Sequence, residues 1–459
     1  MLHSQPCEVL EVPRPASIPP SIVSSQPVTI SVGHIKRLFD SVFRLGIGEA
    51  VSRLASFLFF AYISRGFGVE LLGIVALAQT VAMYVTLGTD QGLRMVGARL
   101  VARDSNAAPF VIRRVLLKRL LSCAICVLLG SAYALWGPVP QSARLYILGF
   151  VLGVIPYAFS LDWLAWGLDK YGWLGTFRGG VTVVFLIGSV IGVLLTRSTL
   201  LPITVSNGLS ATLGAAALWA AWRLRWRAQT AKDVPANEDS VRRELRWVAL
   251  LPLGMATILN QAFHNFDTVL LGAMSTAAEV GRYASAYKIL FLVLGAYWLV
   301  TNSLYPKISR AKGGPGARKL LMKALVIVTA IGVALAAGVG LFAPVILRAV
   351  YGTDLGATGL LRILVFAIPL DFCVAMLGTV FVSRGHDRSI LVATGAAAIF
   401  NIFLNSLLIP KLQGTGAAIA TLVSYLFLLA ILLHYLTRKP ILAEQADPTA
   451  IGARNALEH

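Results

Sequence analysis

The feature that most constrains this chain is a succession of apolar runs, each about twenty residues long, along nearly its whole length. A helical run of that length crosses the hydrocarbon core of a bilayer, where only helices and closed barrels satisfy every backbone polar group. Loop residues between the runs place helices at 43–64, 71–92, 115–136, 145–167, 174–196 and 201–222. After a polar stretch a second set follows at 247–273, 280–304, 322–347, 359–383, 389–410 and 414–437. Only 13% of residues are charged and 57% are hydrophobic, against about a quarter charged in soluble domains. The net charge of +19 does not point to nucleic acid, because the basic residues fall between apolar runs and not on one soluble face.

Those basic residues set an orientation. The loops 94–119, 168–178, 223–246, 305–323 and 384–388 hold about 24 Lys and Arg, whereas the alternate loops hold about seven, among them Arg65, Arg144, Arg197 and Lys411. Basic loops recur after every second span, which supports both the helix count and two cytoplasmic termini. Trp136, Trp219, Trp222, Trp226 and Trp247 sit near span ends, where the headgroup layer favours amphipathic rings. Residues 1–35 lack an apolar stretch behind a basic start and are expected to form a disordered cytoplasmic tail, not a cleaved signal; 439–459 reads likewise as a tail. The basic stretch 223–246 separates two sets of six helices, 36–222 and 247–438. It reads foremost as an anchor between halves. Cys123 and Cys126 form a CxxC inside an apolar run with no second pair beside it, so they read as packing residues and no metal is expected.

The two sets resemble each other at an offset of about 208 residues. Leu72 and Gly73 fall on Val280 and Gly281, Ala76 on Ala284, Ala78 on Ala286, and Arg99 on Lys307. Six spans per copy is an even number, so both copies run the same way. An all-α polytopic protein of about twelve helices follows, in two six-helix lobes related by a pseudo-twofold axis along the membrane normal, with a central cavity between them.

Ionisable side chains within spans cost free energy and mark candidate sites. In the first span Glu49, Arg53 and Ser56 share a helix face, and in the seventh Asn260, His264 and Asp267 repeat that spacing beside Gln261. Spans 1 and 7 are therefore expected to face each other across a hydrated cleft. Lys288, about eight residues into its span, is a further cavity candidate. Simple i,i+4 neutralisation of Glu49 by Arg53 is the plain alternative, as are an interfacial carboxylate for Asp267 and packing for His264. Asp90, Asp162 and Asp371 sit near span ends or among aromatics. Asn401 and Asn405 are expected to hydrogen-bond a neighbouring helix.

Several segments, in order, carry a family resemblance: "AYISRGFGVELLGIVALAQTVAMYVTLGTDQGLRMVGARLVAR", "DTVLLGAMSTAAEVGRYASAYKI", "LYPKISR", "RILVFAIPL" and "NSLLIPKLQGTGAAIATLVSY". Over residues 36–438 the chain resembles the polysaccharide (Wzx-like) flippase branch of the superfamily that also holds multidrug-extrusion proteins and lipid II flippases. The resemblance implies an alternating-access transporter in the bacterial inner membrane, without enzymatic activity or cofactor. It would move polyprenyl-diphosphate-linked oligosaccharide from the cytoplasmic to the periplasmic leaflet, driven by H+ or Na+. Carried onto this chain it makes Arg53, Lys288, Gln261, Asn260, Arg94 and Arg99 candidate substrate-binding residues. Asp267, Glu49 and His264 become candidate ion-coupling residues. Membrane lipids and other polysaccharide-assembly proteins are the implied partners. A drug or cation exporter of the same fold would carry dominant acidic groups in its cavity. A membrane-embedded polymerase or glycosyltransferase would need larger outer loops than the short ones here, and a non-transporting scaffold would leave the polar stripes inert.

Overall fold

The computed structural model describes residues 32–227, 238–295 and 314–438. The tails before residue 32 and from 439, linker residues 228–237 and loop 296–313, which includes Lys307, lie outside the described residues. Among the described residues every regular element is a helix. Eight helices are long and apolar enough to cross a membrane. Two of these hold two passes each: Val32–Asp90, broken at Gly68, supplies spans 1 and 2, and Asp387–Arg438, broken at Gln413, supplies spans 11 and 12. Between them run span 3 (Ala108–Trp136), span 5 (Tyr171–Thr196), span 6 (Leu200–Ala221) and span 9 (Gly314–Leu341). Span 4 starts as Gln141–Leu152, passes through a 3-10 turn at Ile155–Phe159, where Pro156 sits, and resumes at Asp162–Gly167. Span 10 is likewise divided, into Thr358–Leu364 and Ala367–Ser383. Span 7 (Trp247–Met274) and span 8 (Ala277–Leu294) complete the twelve-helix, two-lobed fold.

Local chemistry explains the breaks. Gly68 has φ 83°, a left-handed backbone that costs glycine little and an L-residue much. Span 9 stops at Leu341, six residues before the expected end, because Pro344 opens a separate amphipathic helix, Ala343–Tyr351. Apolar side chains on the outer faces, such as Leu128 at 71% and Leu195 at 79% exposure, have hydrocarbon as their solvent.

The repeat is visible in one reciprocal contact. A Cβ on Gly73 would lie 1.9 Å from the carbonyl oxygen of Ala277, and a Cβ on Gly281 would lie 2.0 Å from that of Val69. Gly73 and Gly281 are the residues the sequence offset pairs, and so are Val69 and Ala277. Spans 2 and 8 thus cross backbone to backbone on the pseudo-twofold axis. Lobe-to-lobe contact elsewhere follows the same symmetry: span 1 runs along span 8, and span 2 along span 7. Arg65 donates to the carbonyl oxygens of Ala349 and Val350 across that boundary.

The described part of the linker is not a free tether. Helix Glu238–Glu244 buries Val241 against a core cluster of the first lobe that includes Leu100, Val101, Trp222 and Trp226. Arg99 and Arg103 both bond Glu244, each at 2.8 Å.

Candidate functional site

The densest set of ionic groups lies where spans 2, 3, 4 and 5 meet near their expected cytoplasmic ends. Arg119 on span 3 has no exposed side-chain surface. It donates to Asp90 at the end of span 2, donates to the Ser160 carbonyl at 2.9 Å, and lies 3.7 Å from Asp162. Asp162 also pairs with Arg94 at 3.1 Å. Two guanidiniums and two carboxylates therefore neutralise one another, the only arrangement in which such charges are tolerated away from water.

Arg94, Asp90 and, from span 5, Arg178 line a cavity of about 420 Å³. Tyr157, Trp166 and Tyr171 add aromatic surface, and Leu253 and Thr257 of span 7 close the cavity from the second lobe. The Arg94 guanidinium sits over Trp166, 5.6 Å from its centroid. A second cavity of about 280 Å³ shares Thr86 and Tyr157 with the first and is lined by Gln79, Thr182, Asn207 and Ser210. The first lobe thus holds a space lined by two guanidiniums, one carboxylate and aromatic rings beside a hydroxyl- and amide-lined one.

Arg178 connects this cavity to the boundary between the lobes. It bonds Glu49 Oε2 at 3.1 Å, and the other oxygen of Glu49 takes Arg53 at 3.4 Å. Arg53 lies over Phe291 of span 8, 5.2 Å from its centroid, while Lys288 of span 8 lies 4.0 Å from the centroid of Phe60 on span 1. The two cations expected to face the substrate are thus brought to one seam, each capped by a ring of the opposite lobe. Neither lines the 420 Å³ cavity.

The polar stripe of span 7 divides in two. Gln261 faces span 2: its carbonyl accepts from Tyr84 at 3.2 Å and its side-chain amide approaches the sulfur of Met83. Asn260 is exposed. His264 and Asp267 turn the other way, into the interior of the second lobe. Asp267 accepts from the Tyr283 hydroxyl, from the Thr268 amide at 2.8 Å and from Thr421 on span 12 at 3.4 Å. His264 Nδ1 lies 3.3 Å from the Tyr425 hydroxyl, and its carbonyl accepts from Tyr287. Asn401 donates to Ser424 on span 12, the interhelical role expected of it, whereas Asn405 donates to Asn401 within its own span.

Three expectations change in consequence. Spans 1 and 7 do not pair across a cleft; each packs on the second span of the other lobe, because spans 2 and 8 occupy the axis. Arg99 is taken up by Glu244 at the surface, outside the cavity. Sequence reasoning also missed Arg119 and Arg178. Both were counted among loop cations, and in the structure each lies inside a span, on helices Ala108–Trp136 and Tyr171–Thr196.

Comparison with known proteins agrees with this architecture. The family described as "Polysaccharide biosynthesis protein" matches residues 38–312, more than half the chain, and the MatE family matches 252–407. A protein of Escherichia coli (strain K12) named "Putative O-antigen transporter" is 20% identical over 433 residues, covering 88% of this chain and 97% of its own. Among solved structures, the inward closed conformation of the lipid II flippase MurJ superposes with a TM-score of 0.67 at 13% identity, over 86% of this chain and 87% of that one. An inward-facing multidrug resistance MATE family transporter gives 0.63 at 17% identity, over 89% and 100%. At these identities the structural likenesses establish the fold. The family match over residues 38–312 shows that the chain belongs to the polysaccharide biosynthesis protein family, the Wzx-like flippase branch of the superfamily of multidrug, oligosaccharidyl-lipid and polysaccharide exporters.

Proposed function

We propose that this transporter carries a polyprenyl-diphosphate-linked oligosaccharide from the cytoplasmic to the periplasmic leaflet of the bacterial inner membrane. The observation that carries the reading is the sign of the first-lobe cavity. Its one lining carboxylate, Asp90, is bonded to the buried Arg119, and Asp162 and Glu49, which pair with Arg94 and Arg178, lie outside the lining, so two guanidiniums are the charges turned to the space. A diphosphate cannot cross hydrocarbon bare, and two guanidiniums in a polar cavity replace much of its hydration. Trp166, Tyr157 and Tyr171 offer faces to sugar rings, and the adjoining cavity offers Gln79, Asn207 and Ser210 to hydroxyls.

Arg94 and Arg178 are the first phosphate partners in this scheme. Arg53 reaches the same site through the Glu49 it shares with Arg178, and with Lys288 it supplies positive potential along the span 1–span 8 seam. Gln261 and Asn260 continue the path on span 7. Asp267, closed within the second lobe among Tyr283, Thr268 and Thr421, is the coupling carboxylate for H+ or Na+, with His264 one turn before it. Glu49 switches between Arg53 and Arg178 as cargo enters. Both termini face the cytoplasm.

A multidrug exporter is the second reading, favoured by the MatE match over residues 252–407. It would need the cavity to present Asp90 or Glu49 unpaired to a cation, and both are held by arginines. Equilibrium binding of a polyprenyl diphosphate saccharide to the purified protein in nanodiscs separates the readings. Arg94→Ala and Arg178→Ala should each weaken binding about tenfold or more, the loss of one charge-assisted contact. Unchanged affinity in both would remove the assignment.

A further inference from the structure

Spans 1 and 5 form one wall of the arginine cavity, and their far side, facing lipid, carries a larger hollow of about 680 Å³. Ile47 and Val51 of span 1 wall it, both more than a third exposed, and the backbone of Gly175, Gly179 and Gly180 on span 5 forms its floor. The two helices run parallel, and Arg44 and Trp173 stand together where span 5 begins. The Arg225 guanidinium lies 5.6 Å from the Trp173 ring centroid, so two cations flank that end. An apolar groove with guanidiniums at its mouth complements one kind of molecule, a long hydrocarbon bearing a terminal anion.

Helix packing accounts for only part of this glycine pattern. A Cβ on Gly48 would sit 2.1 Å from the Gly175 carbonyl oxygen, so these two are required for the seam between the spans. A Cβ on Gly180 would meet nothing within 4 Å. Glycine is the poorest helix former after proline, and here no close approach demands it. Span 11, the counterpart of span 5 in the second lobe, holds Gly395 as its one glycine between Asp387 and Pro410. Gly180 thus leaves open space on span 5, beside the arginine cavity, that helix packing does not require.

Resting on the flippase reading above, we infer that this groove is the loading site for the polyprenyl chain of the cargo. The chain lies against Ile47, Val51 and Gly180 in the cytoplasmic leaflet while the diphosphate meets Arg44 and Arg225. Only the seam between spans 1 and 5, closed by Gly48 on Gly175 and bridged by Glu49 and Arg178, then separates the anion from the arginine cavity.

The test compares two ligands on the full-length protein in nanodiscs: a polyprenyl diphosphate monosaccharide of full chain length, and an analogue cut to two isoprene units. Gly180→Leu fills the groove without touching the seam, and Gly338→Leu, at an equally open glycine of span 9, is the control. The inference predicts that the full-length ligand binds the native protein more tightly. Gly180→Leu should lower its affinity about tenfold, leave the short analogue unchanged, and abolish tail-diazirine labelling at Ile47 and Val51. Equal loss for both ligands, no loss for either, or equal labelling by a phospholipid bearing the same diazirine would overturn the groove while leaving the flippase reading intact. Failure of the native protein to bind either ligand would overturn both.

Discussion

Arg119 has no exposed side-chain surface, yet it holds Asp90, the Ser160 carbonyl and, more distantly, Asp162. Removing one partner from such a buried set typically costs about 3–5 kcal/mol, because the remaining charge is stranded. Arg119→Leu should accordingly lower the unfolding temperature of the detergent-solubilised protein sharply, and adding Asp90→Asn should recover part of the loss. No recovery would mean that Asp90 is not the stranded charge. Legibility from sequence failed at this residue for a physical reason: an arginine at the edge of an apolar run looks the same whether it snorkels to water or turns inward, and partners 29 and 43 positions away decide which. Glu49 and Arg53 were legible because their partnership is local, at i,i+4. Asp267 was legible as a carboxylate within a span, but its direction, into the second lobe, depended on Tyr283 and Thr421. In the coupling role proposed for it, Asp267→Asn should flatten the pH and sodium dependence of transport in proteoliposomes; an unchanged response would clear it of that role.

At the scale of the helix, the number and order of the spans were legible, since hydrophobic length and the alternation of basic loops are physical requirements of a bilayer and not matters of tertiary context. Span 9 shows the limit: an apolar run counted as one element breaks at Phe342, where helical geometry is lost before Pro344. The crossing of spans 2 and 8 is the element on which lobe movement must turn. Gly73 and Gly281 let the two backbones touch, and any side chain there would force them apart by the better part of a carbon diameter. Gly73→Val should therefore open the distance between spin labels placed at the outer ends of spans 2 and 8, and should slow transport without weakening cargo binding at the arginine cavity. An unchanged distance would show that the crossing relaxes elsewhere.

For the whole molecule, two repeats of six spans place like beside like across an axis, but function has broken the symmetry. The first lobe gathers arginines around a cavity, and the second encloses a carboxylate among tyrosines and threonines. Cysteines substituted at Arg144 and Lys411 should react with impermeant reagents from the outer face only; labelling from the cytoplasm alone would reverse the orientation. The central claim is that a cationic cavity carries a diphosphate lipid. It is tested most directly in proteoliposomes that report, in the same vesicles, transfer of a fluorescent polyprenyl diphosphate saccharide between leaflets and efflux of a cationic dye. The account predicts saccharide transfer that Arg94→Ala and Arg178→Ala each abolish, with no dye efflux. Dye efflux that survives both substitutions, without saccharide transfer, would contradict it.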